Sequence, residues 1–445
     1  MTTLRHRLWL LLTALTLVAA AACNGAPSVA RQGGLAGAPT ATPASLQVTP
    51  AATDYRVRDP SFEALPGARA LWGTYAGGAY QIEVPDRWNR RLVLWAHGFR
   101  GFGDELVVDI PAPMREYFIA SGYAWGASSY RANGYVPGFG ALDTLALKEL
   151  FEREVGTPER VYLVGGSMGG NVVTLSLERS PDTYDGALAL CAVTSGSEVL
   201  DFFSSWGALA AYFSGVDMTG FAGDPEGLAA AFRGEVLPAL GAPGELTEAG
   251  RRFENVIMHL SGGPRPYFAE GFADRYDANF ELVIASLAAQ AAAVPVAGNV
   301  GYEYHIDPAF GLSDDALNAE VPRIAPDEEA RRGSTFGEFA PMTGRLEDPL
   351  LSLHNTGDLF VPFSLELSYL ETVREAGREA LFVQRAIRRA GHCNFTPDEV
   401  RIAFEDLVRW VEEGVRPTGD DLSGDLADVG LEFTVPLEPD DPAAR

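Results

Sequence analysis

One serine, Ser167, lies among four glycines in the sequence GGSMGG, positions 165–170. A serine hydroxyl that is held in a tight turn beside a general base can attack a carbonyl carbon. Glycines at such a point also fit a phosphate-binding loop, or a turn that simply lets a helix pack closely on a strand. A phosphate-binding loop needs Lys and then Ser or Thr after its last glycine, whereas Asn171 and Val172 stand there. A dinucleotide-binding pattern also fits poorly, because its three glycines open the first helix of a domain.

The segments around Ser167 favour a nucleophile over a simple packing turn. The apolar run RVYLV before the glycines predicts a strand, and MGGNVVTLSLER after the serine predicts a helix. Gly165 and Gly169 stand two positions either side of Ser167, where a strained strand-to-helix turn tolerates only small residues. In such a turn the N–H of Met168 points toward a developing oxyanion, assisted by the helix dipole.

A serine in this setting needs an acid and then a histidine later in the chain. Asp358 follows the strand-like run PLLSLHNTG, and His392 follows the next such run, ALFVQRAI, and precedes a closing helix. An oxyanion loop is expected after an early strand, and HGF, positions 97–99, follows RLVLWA. These features in this order predict a triad of Ser167, Asp358 and His392.

The motifs resemble those of the α/β-hydrolases, over roughly positions 70–200 and 348–413. The resemblance implies an eight-stranded, mostly parallel sheet, a helical cap inserted after the sixth strand, and acyl-transfer chemistry. It further implies that Ser167 attacks, His392 shuttles the proton and Asp358 orients His392. The N–H groups of Met168 and Phe99 would form the oxyanion hole.

A narrower resemblance links GGSMGG and the pair His392-Cys393 to secreted tannase and feruloyl-esterase relatives. Those proteins carry a cysteine directly before the serine, whereas this chain has Gly166. The substrates of those relatives are therefore not carried over.

The elements that would position these residues alternate along the chain. Continuous apolar runs alternate with helical patterns, which predicts an α/β fold with a parallel sheet covered on both faces. A long middle region shows helical patterns and no clear strand, as a cap insertion would. The predicted parts are a first core segment at 55–200, a helical cap at 201–347, a second core segment at 348–414 and an acidic C-terminal tail at 415–445.

Three other side chains could be mistaken for catalytic groups. His354, four residues before Asp358, falls inside a predicted strand, which favours a structural role. His97 is expected to shape the oxyanion loop. Arg131 follows a strand and could receive a substrate carboxylate, although a structural salt bridge is the favoured interpretation.

The composition excludes several classes of protein. The net charge of −26 argues against nucleic acid as a partner and against charge-driven binding to anionic lipid. Six histidines and three cysteines occur without HExxH, paired CxxC or EF-hand patterns, so neither a metal nor a cofactor is expected. The oligomeric state stays open.

The N-terminus predicts export. Arg5, His6 and Arg7 precede an uncharged run at 8–22, which is too short to cross a bilayer comfortably and suits a signal peptide over 1–22. The following LVAAAAC resembles the lipobox of bacterial lipoproteins, in which Cys23 would become lipidated. Ordinary cleavage after Ala-x-Ala is the alternative. Positions 23–54 are rich in Ala, Gly, Pro and Thr and predict a flexible linker, so we expect a cell-envelope lipoprotein or a secreted protein.

Two further cysteines, Cys191 and Cys393, are expected near the carboxyl edge of the sheet. In an oxidising compartment an even pair can form a disulfide, and two buried thiols are the alternative.

The favoured interpretation is an exported serine hydrolase that cleaves small-molecule carboxylic esters through an acyl-enzyme. A serine peptidase or amidase of the prolyl-peptidase-like branch is the alternative within enzymes, since the same triad cleaves amides. A catalytically inactive surface-binding lipoprotein is the alternative of another class. Contact with a membrane is expected only through a lipid on Cys23.

Overall fold

The computed structural model describes residues 54–112, 114–217, 224–292, 295–332 and 342–437. The predicted signal peptide, Cys23 and all but the last residue of the predicted linker lie outside the described residues. No helix within those ranges is both long enough and apolar enough to cross a membrane.

The core is an eight-stranded sheet with a separate two-stranded ribbon of β1 and β5. The strands are β1 Arg56–Val57, β2 Ala68–Tyr75, β3 Gly78–Pro85, β4 Arg91–Ala96, β5 Glu105–Leu106, β6 Ala124–Ser128, β7 Arg160–Gly166, β8 Gly186–Leu190, β9 Leu350–Gly357 and β10 Phe382–Ala390. The order across the sheet is β10-β9-β8-β7-β4-β6-β3-β2. Only the pairs made by β3 are antiparallel, so the prediction of a mostly parallel eight-stranded sheet is confirmed.

Helices cover both faces of the sheet. They are α1 Arg115–Ala120, α2 Pro137–Glu154, α3 Met168–Arg179, α4 Gly196–Ser214, α5 Pro225–Ala231, α6 Leu237–Leu240, α7 Glu248–Leu260, α8 Phe268–Ala292, α9 Asp314–Glu320, α10 Glu328–Arg332, α11 Ser364–Glu375 and α12 Pro397–Glu413. A π-helical turn, Phe232–Val236, joins α5 to α6, and 3-10 turns lie at Pro308–Phe310 and Glu379–Leu381.

Alternate residues of the central strands pack in two different hydrophobic layers, one on each face of the sheet. In β4, Leu92 and Leu94 pack in one core cluster with Val172 of α3, whereas Val93 belongs to a second cluster with Phe404 of α12. Because side chains alternate across a strand, burial on both faces requires apolar residues at every position. This is the physical reason for the continuous apolar runs in the sequence.

Helices α4 to α10 form a helical region between β8 and β9, and no strand lies within its described residues. Its first helix begins at Gly196, before the predicted boundary at 201. The centre of this region is aromatic: the Trp206 ring lies 5.4 Å from Phe253 and 5.8 Å from both Phe272 and Phe280. The region therefore has its own hydrophobic core.

The C-terminal segment packs on the core. Asp420 accepts a hydrogen bond from the N–H of Ala386 at 2.7 Å, and its own N–H donates to the carbonyl of Gln384 at 2.8 Å. Leu422 and Leu426 are buried. Residues 415–437 thus cover β10, the edge strand, where free backbone groups would otherwise be exposed to pairing with another chain.

Candidate active site

Ser167 occupies a strained turn between β7 and α3. Its φ of 58° and ψ of −123° are an unusual conformation for a residue with a side chain. The turn is held by backbone bonds: the N–H of Ser167 donates to Leu190 at 2.9 Å, and its carbonyl accepts from Val193 at 3.2 Å. The hydroxyl consequently stands at the N-terminus of α3.

The glycines around Ser167 are required by space. A Cβ on Gly169 would overlap the carbonyl oxygen of Ala96, and one on Gly165 would overlap the carbonyl of Gly169. A Cβ on Gly170 would lie 2.6 Å from the Cβ of Ala192. Real Cβ atoms do not approach other atoms this closely, so β4, β7 and α3 can meet at the serine only if these positions are glycine.

Ser167, His392 and Asp358 form a continuous hydrogen-bonded chain. The Nε2 atom of His392 lies 2.9 Å from the Oγ of Ser167, and its Nδ1 lies 2.6 Å from Oδ2 of Asp358. A carboxylate can only accept, so we assign the ring proton to Nδ1, which leaves the Nε2 lone pair facing the serine hydroxyl. This arrangement lets the imidazole take the hydroxyl proton.

Asp358 is fully buried and held as a carboxylate. Its Oδ1 accepts from the N–H groups of Phe360 at 2.9 Å and Val361 at 3.0 Å. Burial alone would raise the pKa of Asp358, but the neighbouring His392 and His354 and the Val361 N–H outweigh burial and lower it. The carboxylate is therefore charged at neutral pH.

Two backbone donors beside Ser167 have no partner in the described part of the chain. They are the N–H groups of Met168 and Phe99. The residue before Phe99 is Gly98, where an added Cβ would lie 3.3 Å from both the Ser167 Cβ and the Gly166 oxygen. The loop that is predicted to form the oxyanion hole therefore runs directly beside the serine.

The imidazole of His97 supports this loop from behind. Its Nδ1 lies 2.7 Å from the carbonyl oxygen of Gly98, and its ring stacks on Tyr130 at 3.9 Å. Burial lowers the pKa of His97. The side chain is thus a structural element of the loop.

The other two side chains that could be mistaken for catalytic groups do not contact the serine. His354 is buried in β9, with Nε2 3.0 Å from the carbonyl oxygen of Val361. Arg131 forms a salt bridge with the buried Asp143, so its guanidinium is already paired. Neither side chain contacts Ser167.

Cys191 and Cys393 are joined by a disulfide, with their Cα atoms 5.2 Å apart and 202 positions between them in the sequence. The Sγ of Cys393 lies 3.6 Å from Nε2 of His392. Both sulfurs also cover Gly166, where an added Cβ would lie 3.8–3.9 Å from them. His392 converges with the two cysteines as metal ligands can, but bonded sulfurs lack the thiolate charge that a metal requires.

Aromatic side chains flank the site on two sides. The ring of Phe360 lies 5.0 Å from His392 and 6.1 Å from Phe203. On the oxyanion loop, Phe99 lies 5.3 Å from Phe102, which is 48% exposed. Aromatic surface therefore lies beside His392 and on the loop that contains Phe99.

Known proteins that are similar to this chain include an amidase and several esterases. No family model matches the chain. The o-phthalyl amidase of Xanthobacter agilis is 24% identical over 408 residues, which cover 78% of this chain and 88% of that protein. Feruloyl esterase B from Aspergillus oryzae is 16% identical with a TM-score of 0.46, covering 79% of this chain and 81% of that one. An esterase from Aspergillus oryzae is 16% identical with a TM-score of 0.42, covering 81% and 84%.

The strand arrangement decides the fold. Within the eight-stranded sheet β3 alone runs antiparallel to its neighbours, the serine turn follows the fifth strand in chain order, and the helical region follows the sixth. The chain has the α/β-hydrolase fold. Asp358 then follows the seventh strand, and His392 follows the eighth.

Within this fold, the helical region between β8 and β9, which was predicted as the cap, lies against the loop that carries Asp358. Helix α8 passes so close that a Cβ on Gly271 would overlap the carbonyl of Gly357, the residue before Asp358. The amide of Asn279, also on α8, donates to the carbonyl of Leu359 at 2.8 Å. The cap thus supports the loop that carries Asp358.

A buried group that the sequence motifs do not predict lies near Asp358, the guanidinium of Arg265. It donates to the carbonyls of Thr356 at 2.6 Å and Gly263 at 2.9 Å and to the hydroxyl of Ser261 at 3.1 Å. Burial lowers the pKa of Arg265 to about 9, against the opposing effect of Asp358, so the side chain remains charged at neutral pH. No motif marks this residue, because it acts through a loop of the cap.

A cavity of about 330 Å³ lies elsewhere, between α11, β10 and the C-terminal segment. Its lining includes Arg374 and Arg416. Arg374 pairs with Glu379, and Arg416 donates to backbone carbonyls such as that of Phe382 at 2.8 Å. The cavity contains none of the triad side chains.

Proposed function

We propose that this chain is a serine hydrolase that cleaves carboxylic esters of small molecules through an acyl-enzyme. The observation that carries the proposal is the 2.9 Å contact between the Ser167 hydroxyl, in its strained turn, and the Nε2 of His392. Serine is a poor nucleophile unless a base of this kind lies within hydrogen-bonding distance.

In the proposed mechanism, Oγ of Ser167 attacks the carbonyl carbon while its proton passes to Nε2 of His392. The N–H groups of Met168 and Phe99 stabilise the resulting oxyanion, and the dipole of α3 adds to their effect. Asp358 holds the imidazole in the correct tautomer and stabilises the imidazolium.

Collapse of this tetrahedral intermediate breaks the ester bond, and His392 returns its proton to the departing alcohol. Water, deprotonated by the same imidazole, then attacks the acyl group on Ser167. The second collapse releases the carboxylic acid and restores the serine hydroxyl.

Amide cleavage is the second candidate, and one observation favours it. The curated relative is named an o-phthalyl amidase, and the match extends over most of both proteins. The same steps apply to an amide, with an amine as the leaving group. An amide of phthalic acid is therefore the first amide substrate to test.

The full chain should be treated with a fluorophosphonate probe and assayed with p-nitrophenyl esters of several chain lengths, aminoacyl amides and a phthalyl amide. We expect labelling and ester turnover, both lost in Ser167→Ala. The exposed Ser61→Ala serves as the matched control and should behave as the unaltered chain does. Turnover of amides in preference to esters would favour the amidase.

A chain that is neither labelled nor able to turn over any of these substrates would contradict the proposal and favour a binding lipoprotein.

For location, we propose export to the bacterial cell envelope, with lipid attached at Cys23. The charged start and short apolar run of the sequence support this.

A further inference from the structure

Asp358 has a second histidine beside it. His354 lies four residues earlier, in β9, and its Nε2 is 3.7 Å from Oδ2 of Asp358. His354 is only 1% exposed, and Asp358 is fully buried. Oδ2 of Asp358 is therefore near two imidazoles, of which only His392 reaches the serine.

A second carboxylate lies behind His354. Oε1 of Glu366, on α11, is 3.3 Å from Nδ1 of His354, and the residue is 1% exposed. Ser352 donates to Oε1 at 2.6 Å, and Gln384 donates to Oε2 at 2.6 Å. Among the described residues, His354 is the basic side chain that lies against Glu366.

The geometry assigns a positive charge to His354. Its Nε2 faces the carbonyl oxygen of Val361 at 3.0 Å and must carry a proton, because a carbonyl only accepts. If the ring were neutral, its Nδ1 lone pair would face the carboxylate of Glu366. Protonation of both nitrogens replaces this repulsion with an ion pair, which a buried carboxylate requires. The Nδ1 contact is an ion pair rather than an aligned hydrogen bond.

The direction of each pKa agrees with this assignment. Burial acts to lower the pKa of His354, but Glu366 and Asp358 outweigh it and raise the pKa. Burial acts to raise the pKa of Glu366, but His354, Ser352 and Gln384 outweigh it and lower the pKa.

We propose that the His354–Glu366 ion pair positions Asp358, and that its positive end, turned toward the triad, sets the pH at which His392 can act as the base. The inference rests on the proposed function of Ser167 and His392. His354 is a positioning residue, since it contacts neither the serine nor a substrate atom.

The opposite charges of His354 and Glu366 act together as a dipole. The Nε2 edge of the His354 ring lies 3.7 Å from Asp358, and Glu366 contacts the other nitrogen, Nδ1, so the positive end of the pair is turned to the carboxylate that bonds His392 and opposes protonation of His392. Removing both charges should move the midpoint of the His392 titration upward, by roughly half a pH unit at the effective dielectric of protein interiors.

The other charges near these groups stay in place in the test. Arg265 faces Asp358 from the loop before α8. Asp274, paired with Arg275 on α8, faces Gly391 beside His392. Arg389, paired with Glu399, donates to the carbonyl of Asn394 in the His392 loop.

The test compares the unaltered chain with the double variant His354→Gln/Glu366→Gln, which removes both charges and keeps polar side chains of similar size. Glu83→Gln is the matched control, because Glu83 is an equally buried carboxylate paired with Arg115 on α1. Nitrogen NMR of the histidine rings follows each titration directly. The pH profile of kcat/KM for a p-nitrophenyl ester gives the same midpoint from its acid limb.

We expect the His392 midpoint to rise by roughly half a unit in the double variant and to stay unchanged in Glu83→Gln. We also expect the His354 ring of the unaltered chain to remain an imidazolium at pH 7. A neutral His354 ring, or a His392 midpoint that stays put or falls in the double variant, would overturn the inference. The NMR arm needs no substrate, so it decides the matter even if the proposed hydrolase activity is not found.

Discussion

Breaking the bond between Cys191 and Cys393 is expected to lower both the stability and the turnover of the enzyme. The two residues are 202 positions apart, so the bond closes a very long loop in the unfolded chain. Chain-entropy reasoning gives an upper bound of roughly 5 kcal/mol for the loss of stability when such a loop is opened. For a chain of this size that corresponds to a drop in Tm on the order of 5–10 °C.

Turnover should fall because the bond lies next to the base. Cys393 directly follows His392, and its Sγ is 3.6 Å from the Nε2 atom that must face the serine. His392 arrives on a loop after β10, where the backbone has less support than in a strand. A looser loop that costs about 1.4 kcal/mol of transition-state stabilisation would lower kcat roughly tenfold.

The assay begins with thiol titration of the unfolded, unreduced Cys23→Ser chain, in which Cys191 and Cys393 are the remaining cysteines. We expect no free thiol. Tm and kcat are then measured with and without reductant, and the double variant Cys191→Ala/Cys393→Ala is the control that reductant should not affect. Two free thiols, or a Tm and kcat that reduction leaves unchanged, would refute the reasoning.

Four other outcomes are expected. Gly169→Ala should lower the free energy of unfolding by about 3 kcal/mol, because the new Cβ overlaps the carbonyl of Ala96. The accompanying fall in Tm is measured by thermal denaturation. His392→Ala should lower kcat on a p-nitrophenyl ester on the order of 10⁴-fold, through loss of the base. The pKa of Asp358 is lower in the folded chain than its unfolded value of about 3.9, so the ionised carboxylate adds fully to the free energy of unfolding above that value. This contribution is lost as the pH falls through the folded pKa. In Asp358→Asn, denaturant melts between pH 6 and 2 should therefore show a smaller loss of stability with acid. Cys23→Ser should move the protein from the membrane fraction to the soluble fraction, and mass spectrometry of the mature N-terminus checks the lipid directly.

The fold class could be predicted because a sheet that is buried on both faces imposes an apolar pattern on its inner strands. Runs such as the one around Leu163 in β7 are apolar at consecutive positions, and helical patterns separate them. Ser167, Asp358 and His392 follow the fifth, seventh and eighth strands of the sheet, and they come together because the carboxyl ends of parallel strands meet at one edge.

Strand β2 and the C-terminal segment show what composition does not reveal. β2 is an edge strand with partly exposed residues throughout, so Ala68–Tyr75 lacks the apolar run that marks the inner strands. The segment after 415 is acidic and was expected to be a tail, yet Leu422 is buried and Asp420 bonds to β10. The unpaired backbone groups of an edge strand can pair with another chain unless a segment covers them. Which strand lies at the edge is known only from the strand order of the folded sheet.

Opposite charges balance one another in the buried group around Asp358. Asp358 and Glu366 are negative, and His354 and Arg265 are positive, so the group beneath the neutral His392 sums to zero. Proton transfer from the serine to His392 then creates one new positive charge beside Asp358 and one new negative charge at the N-terminus of α3. Each new charge forms where an opposite charge or dipole already lies, so the proposed reaction requires no rearrangement of the buried network.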